Sequence, residues 1–121
     1  MIVARWQNKN ISLKKMREFS STNWKAGIGA TGETLGGICA TKDVGYLWAL
    51  VDKTRYNHDI KDNRMGEIVI FEAIDTGERC MDGEPIVNPV KVITRIDGYN
   101  FWYDGKRRKE TYVEVEKYLQ Q

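Results

Sequence analysis

Histidine, cysteine and proline are scarce in this chain, and each scarcity narrows the chemistry open to it. His58 is the only histidine, and Cys39 and Cys80 are the only cysteines. With no Cys-x-x-Cys pair, these residues cannot supply the four ligands of a structural zinc, so no metal site is expected. The two cysteines stand far apart and read as isolated reduced thiols, not as a disulfide framework. His58 sits between Asn57 and Asp59 in a polar stretch with no nucleophile beside it, the setting of a surface residue more often than of a general base. Gly-x-Ser-x-Gly and His-Glu-x-x-His are both missing, which leaves hydrolase and metalloprotease readings without support. No catalytic residue and no cofactor is therefore assigned. Nowhere do about 18 apolar residues run together, as a membrane-spanning helix requires. The opening MIVARWQNK has only a short apolar run before Arg5, too short for a signal peptide, so a cytoplasmic protein is expected. Two prolines and no low-complexity tract leave no place for a linker, and residues 1–121 are expected to form one domain.

Charge of either sign is also limited in net amount. The formal charge of +2 is too small to imply a nucleic-acid partner, whose phosphates need several cations on one face. Its distribution says more. Lys9, Lys14, Lys15 and Arg17 gather near the start, Lys106 to Lys109 gather near the end, and acids concentrate between Glu67 and Glu84. The basic groups suit either an anionic small molecule or a solvated loop.

Hydrophobic periodicity then sets out the elements. Ile2 to Trp6 reads as a strand, and Ser12 precedes a short helix in which Leu13 and Met16 recur at helical spacing. A short strand at Gly37 to Thr41 leads into the clearest helix. There Val44, Leu47, Trp48 and Val51 make one apolar stripe, with Thr41 or Asp43 available as its cap. Glu67 to Ile74 is apolar on both faces for most of its length and reads as a central strand. Asp75-Thr76-Gly77 and Met81-Asp82-Gly83 punctuate the chain before a further strand at Pro89 to Ile96. The run Tyr99 to Tyr103 before Asp104-Gly105 predicts an aromatic hairpin with a type I′ turn. The tail from Lys109 fits a helix through Tyr112, Val115 and Leu119, or a strand through Val113 and Val115, and the helix is favoured. The fold class expected is α+β, a small, largely antiparallel sheet packed with two or three short helices.

Glycine is concentrated in KAGIGATGETLGG, residues 25–37. Gly27, Gly29 and Gly32 formally satisfy Gly-x-Gly-x-x-Gly, but the flanks supply neither the strand before nor the helix after that a dinucleotide fingerprint needs. Two uses remain: a wide structural turn, or a concavity of main-chain N–H groups at Gly27 and Gly29 that cradles an anion, with Lys25 adding charge and Thr31 a hydroxyl. Arg55, beside Tyr56 and Asn57, either favours the end of the preceding helix or offers a phosphate a bidentate fork. Trp102 and Arg107 pair a stacking face with a guanidinium, as a purine nucleotide needs, although the aromatic run Phe101-Trp102-Tyr103 also suits cross-strand packing.

From Gly37 onward the order of elements resembles ADP-ribosyltransferase domains. GGICATKDVGYLWALVDK is similar to their strand ending in a hydroxyl residue before a helix, GEIVIFEAID to the next central strand, and GEPIVNPVKVITRI to the segment that carries their catalytic acid. That resemblance implies Arg5 as the grip on the dinucleotide, Thr41 as the hydroxyl and Glu84 as the acid at the nicotinamide ribose. A second resemblance, through KAGIGATGETLGG, ALVDKTRYN and the basic DGKRRK, is to the Thoeris anti-defence sponge proteins of phages. These capture cyclic ADP-ribose isomers made by TIR-domain enzymes. It implies a non-catalytic, cytoplasmic homo-oligomer of an infected or lysogenic bacterial host, binding such a nucleotide through Arg55 and Arg107, with Asn88 at its base or ribose. A protein–protein inhibitor using the aromatic and basic strip is the third expectation.

Overall fold

A computed structural model describes residues 1–22, 37–52, 66–80, 82–98 and 105–121, and the side chains of 1–18, 37–52, 66–80, 82–98 and 107–121. Four strands, β1 (Ile2–Asn8), β2 (Ile38–Cys39), β3 (Gly66–Arg79) and β4 (Pro85–Asp97), lie in the order β1-β3-β4-β2, and every pairing is antiparallel. Helices α1 (Leu13–Thr22), α2 (Val44–Asp52) and α3 (Gly105–Leu119) complete the α+β fold expected from the sequence. Among the described residues no helix is long and apolar enough to cross a membrane.

The sheet is central because β3 is apolar on both faces, and every residue from Gly66 to Phe71 is buried. Side chains alternate across the pleat, which divides the core in two. On one face Ala4, Trp6, Ile68 and Ile70 meet Val44, Leu47 and Val51 of α2 and Val115 and Leu119 of α3. On the other, Val3, Val69, Phe71 and Val87 meet Met16 of α1. Segment 38–41 joins the two edges of the sheet. Ile38 and Cys39 pair with β4, whereas Thr41 and Ala4 exchange two backbone hydrogen bonds, each 2.9 Å long. Edge groups that would otherwise face water are thereby paired.

Local signals act as the sequence suggests. The Ser12 hydroxyl accepts from the Lys15 amide at 3.1 Å and caps α1. Of the two candidate caps for α2, Asp43 does the capping, its carboxylate accepting from the amides of Gly45 (2.8 Å) and Tyr46 (3.2 Å). Helices α2 and α3 are clamped by the Arg108 guanidinium, which binds Asp52 and sits 5.5 Å from the centroid of the Trp48 ring. Gly37, last of the glycine-rich stretch, has a packing reason to be glycine: a Cβ there would stand 2.7 Å from Ile86 Cγ2 and 2.8 Å from the Val87 carbonyl oxygen.

Two expectations are corrected, and a third falls outside the described residues. Asp75-Thr76-Gly77 does not end β3; the strand passes through an irregularity between Asp75 and Arg79, and Gly77 absorbs it at a φ of 87°. Gly105 begins α3, the helix favoured for the tail, in keeping with the 3.6-residue periodicity of Tyr112, Val115 and Leu119, and the aromatic hairpin expected at Tyr99 to Asp104 lies outside the described residues. Cys39 and Cys80 are not reduced thiols but a disulfide, with Cα atoms 6.4 Å apart. Strand pairing accounts for this. Cys39 lies opposite Ile86, and the turn that returns the chain to β4 holds Cys80 close by through the Cys80 amide on the Glu84 carbonyl at 2.8 Å.

Candidate functional site

Strand register builds a polar grid on the α1 face of the sheet. Directly opposed residues of antiparallel strands share a face, so Val3, Phe71 and Val92 form one row, Arg5, Val69 and Arg95 the next, and Gln7, Glu67 and Asp97 the third. The first row is apolar and belongs to the core; the next two carry two guanidiniums, an amide and two carboxylates. Adjacent strands lie about 4.8 Å apart, so the backbones at Arg5 and Arg95 are separated by about 10 Å.

Burial grades across this grid from floor to rim. Gln7 and Glu67 are only 5% and 6% exposed, while the side chains of Arg95 and Asp97 are 31% and 47% exposed. Arg95 forks between the Glu67 carboxylate and the Ile11 carbonyl, the latter at 2.6 Å. Lys9 pairs with Asp97 at 2.7 Å, and Arg5 donates to the Cys39 carbonyl at 2.6 Å. At Gln7, neither the side-chain nitrogen nor the side-chain oxygen has a hydrogen-bond partner.

A second constellation lies at the start of α2. The Thr41 hydroxyl accepts from the Asp43 amide at 2.9 Å and hydrogen-bonds the Glu84 carboxylate. Burial pushes the Glu84 carboxyl above its ordinary value, with Asp82 and Asp43 adding repulsion, and the Thr41 bond offsets part of this rise. The folded protein thus holds this proton more tightly than the unfolded chain. Its contribution to stability is full below the unfolded value of 4.5 and is lost as pH rises through the higher folded value. Removing the charge by Glu84→Gln is expected to relieve that loss, so the variant should gain melting temperature relative to wild type between pH 4 and pH 8. Parallel profiles in thermal melts over that range would refute this.

The sequence-derived site residues divide sharply. Lys25, Gly27, Gly29, Thr31, Arg55 and Trp102 lie outside the described residues. Asn88 is half-buried in β4 opposite Ile74, next to the residue that pairs with β2, and Arg107 is exposed in the first turn of α3. Because α3 packs on α2 and β1, the fold does not gather these two into one site. Of the trio implied by the transferase resemblance, Thr41 and Glu84 touch, but Arg5 does not join them. Thr41 lies opposite Ala4, whose side chain faces α2 and α3, whereas Arg5 alternates onto the α1 face. Sequence reasoning missed Gln7, Glu67 and Arg95; the signal available was polar residues falling on inward positions of otherwise apolar strands. No protein-family model, no curated protein and no solved structure matches this chain.

Proposed function

We propose that this protein binds a cyclic ADP-ribose-type nucleotide and holds it unreacted, acting as a cytoplasmic homo-oligomer that removes the signal of TIR-domain enzymes in an infected or lysogenic bacterial host. The observation that carries this reading is the pair of guanidiniums, Arg5 and Arg95, on one sheet face beside the buried polar residues Gln7 and Glu67. Guanidinium forks match phosphate oxygens, and each charge-assisted hydrogen bond contributes about 1.5–3 kcal/mol net. Arg55 lies outside the described residues, and Arg107 is exposed on α3, which packs on the sheet face opposite to that of Arg5 and Arg95.

A second reading, an ADP-ribosyltransferase-like enzyme using NAD, draws support from the Thr41 bond to the partly buried Glu84 carboxyl. Against it, that chemistry needs arginine, hydroxyl and acid to face one cleft, and Arg5 faces away. The two are separated by incubating the protein with NAD and with cyclic ADP-ribose isomers, then heating it and analysing what is released. Intact cyclic nucleotide is the expected result. Free nicotinamide would establish turnover instead, and failure to bind any nucleotide would leave only an interaction surface for a host protein.

A further inference from the structure

We propose that Gln7 is the reading element of a ligand subsite on the α1 face of the sheet, taking the edge of a planar group that presents a donor beside an acceptor. A nucleobase edge and a primary carboxamide share that chemistry. The inference rests on the nucleotide reading only for the molecule that brings the group.

Hydrogen bonding on this face is unbalanced. A side-chain amide offers two donors and an acceptor with two lone pairs, and burying these groups unpaired is unfavourable enough that native structures almost always satisfy them. Gln7 is 5% exposed, yet both of its polar atoms are unpartnered. Its row neighbour Glu67 is equally buried, but it is answered by Arg95. The same face therefore supplies a charge partner where the fold needs one and leaves the amide open. A residue kept only for packing at an inward strand position would be apolar, as Val3 is four residues earlier on the same face.

Geometry restricts what fits. An amide used through both atoms demands an acceptor for its N–H and a donor for its carbonyl oxygen on adjacent atoms of one plane, the pattern that lets glutamine read adenine through its exocyclic amine and ring nitrogen. Arg5 lies one position away on the same face of β1, and the more exposed Arg95, Lys9 and Asp97 mark the side from which a ligand enters. The subsite would thus hold a neutral planar group at its floor and an anionic remainder toward its cationic rim.

Isothermal titration of wild type and Gln7→Leu with adenine, N6,N6-dimethyladenine, nicotinamide and ADP-ribose tests this, together with thermal melts of the free proteins. Wild type is expected to bind adenine or nicotinamide, the stronger of the two identifying the source. It should bind the dimethylated base at least tenfold more weakly, because that base lacks the donor. Gln7→Leu should lose at least tenfold in affinity while melting no lower than wild type, since it removes unpaired groups at similar volume. ADP-ribose bound equally by both proteins would overturn the subsite and leave the nucleotide reading standing. Gln7-dependent binding of nicotinamide or adenine without any binding of ADP-ribose compounds would do the reverse. A lower melting temperature for Gln7→Leu would show that the amide is satisfied internally, and it too overturns the proposal. Should the variant fail to fold, the side-chain amide resonances of Gln7 in the wild-type nitrogen–proton spectrum decide: they must shift when the bound base is added, and unmoved resonances refute the subsite.

Discussion

Reducing the Cys39–Cys80 bond is expected to lower the melting temperature by about 12 °C, the largest single effect this fold predicts. The bond joins residues 41 apart in sequence. Cross-linking a loop of that length removes unfolded-state entropy worth about 4 kcal/mol, and for a chain of this size each kcal/mol moves the midpoint by about 3–4 °C. The native side of the balance points the same way. β2 is two residues long and is held to β4 by only two opposed pairs, so the disulfide ties down the segment that joins the sheet's two edges. Melts with and without dithiothreitol, and of Cys39→Ser/Cys80→Ser, test this: the reduced protein and the double variant should coincide with each other well below the oxidised form. Superimposed curves for all three would show that the bond does not constrain the fold. The same experiment bears on the cytoplasmic proposal, because cytosolic thiols are normally kept reduced and a cytoplasmic protein would then have to stay folded without the bond.

That bond also marks where sequence reading ends. Elements set by local periodicity were legible: the stripe of Val44, Leu47 and Val51 gives α2, and the doubly apolar run from Ile68 gives a central strand. Caps were legible as well, since Ser12 and Asp43 act within three residues of their partners. The pairing of Cys39 with Cys80 depends on which strands become neighbours, and spacing along the chain carries no information about that. The polar grid was hidden for the same reason. Gln7, Glu67 and Asp97 belong to three strands, and only the register aligns them in one row. The irregularities between Ile70 and Phe71 and between Glu72 and Ala73 shift that register, so counting alternate residues along β4 alone would misassign its faces. Of the nucleotide-binding residues expected from residue type and resemblance, Asn88 on β4 and Arg107 on α3 stand apart, whereas register places Arg5 and Arg95 in one row of the sheet.

Breaking the ion pair at the floor of that grid should be the next most damaging change. Arg95→Ala leaves the Glu67 carboxylate 6% exposed with its cation removed, and an orphaned buried charge of this kind costs about 3–5 kcal/mol. The 31% exposure of the Arg95 side chain lets water reach one side of the pair and favours the lower end, about 3 kcal/mol. The loss comes from stranding Glu67 and not from forfeiting an attraction, so Glu67→Gln in the Arg95→Ala background should recover part of it: the neutral amide needs no counterion. Denaturant melts of wild type, both single variants and the double variant form the cycle, with an expected coupling of about 1–3 kcal/mol. Strict additivity would mean that water or another group already neutralises Glu67, and the grid would then be a solvated surface with no floor on which to seat a ligand. Nonadditivity at full wild-type stability of Glu67→Gln would instead mean that Arg95 is held by the Ile11 carbonyl alone, free to turn its remaining donors toward phosphate oxygens without unfolding the sheet.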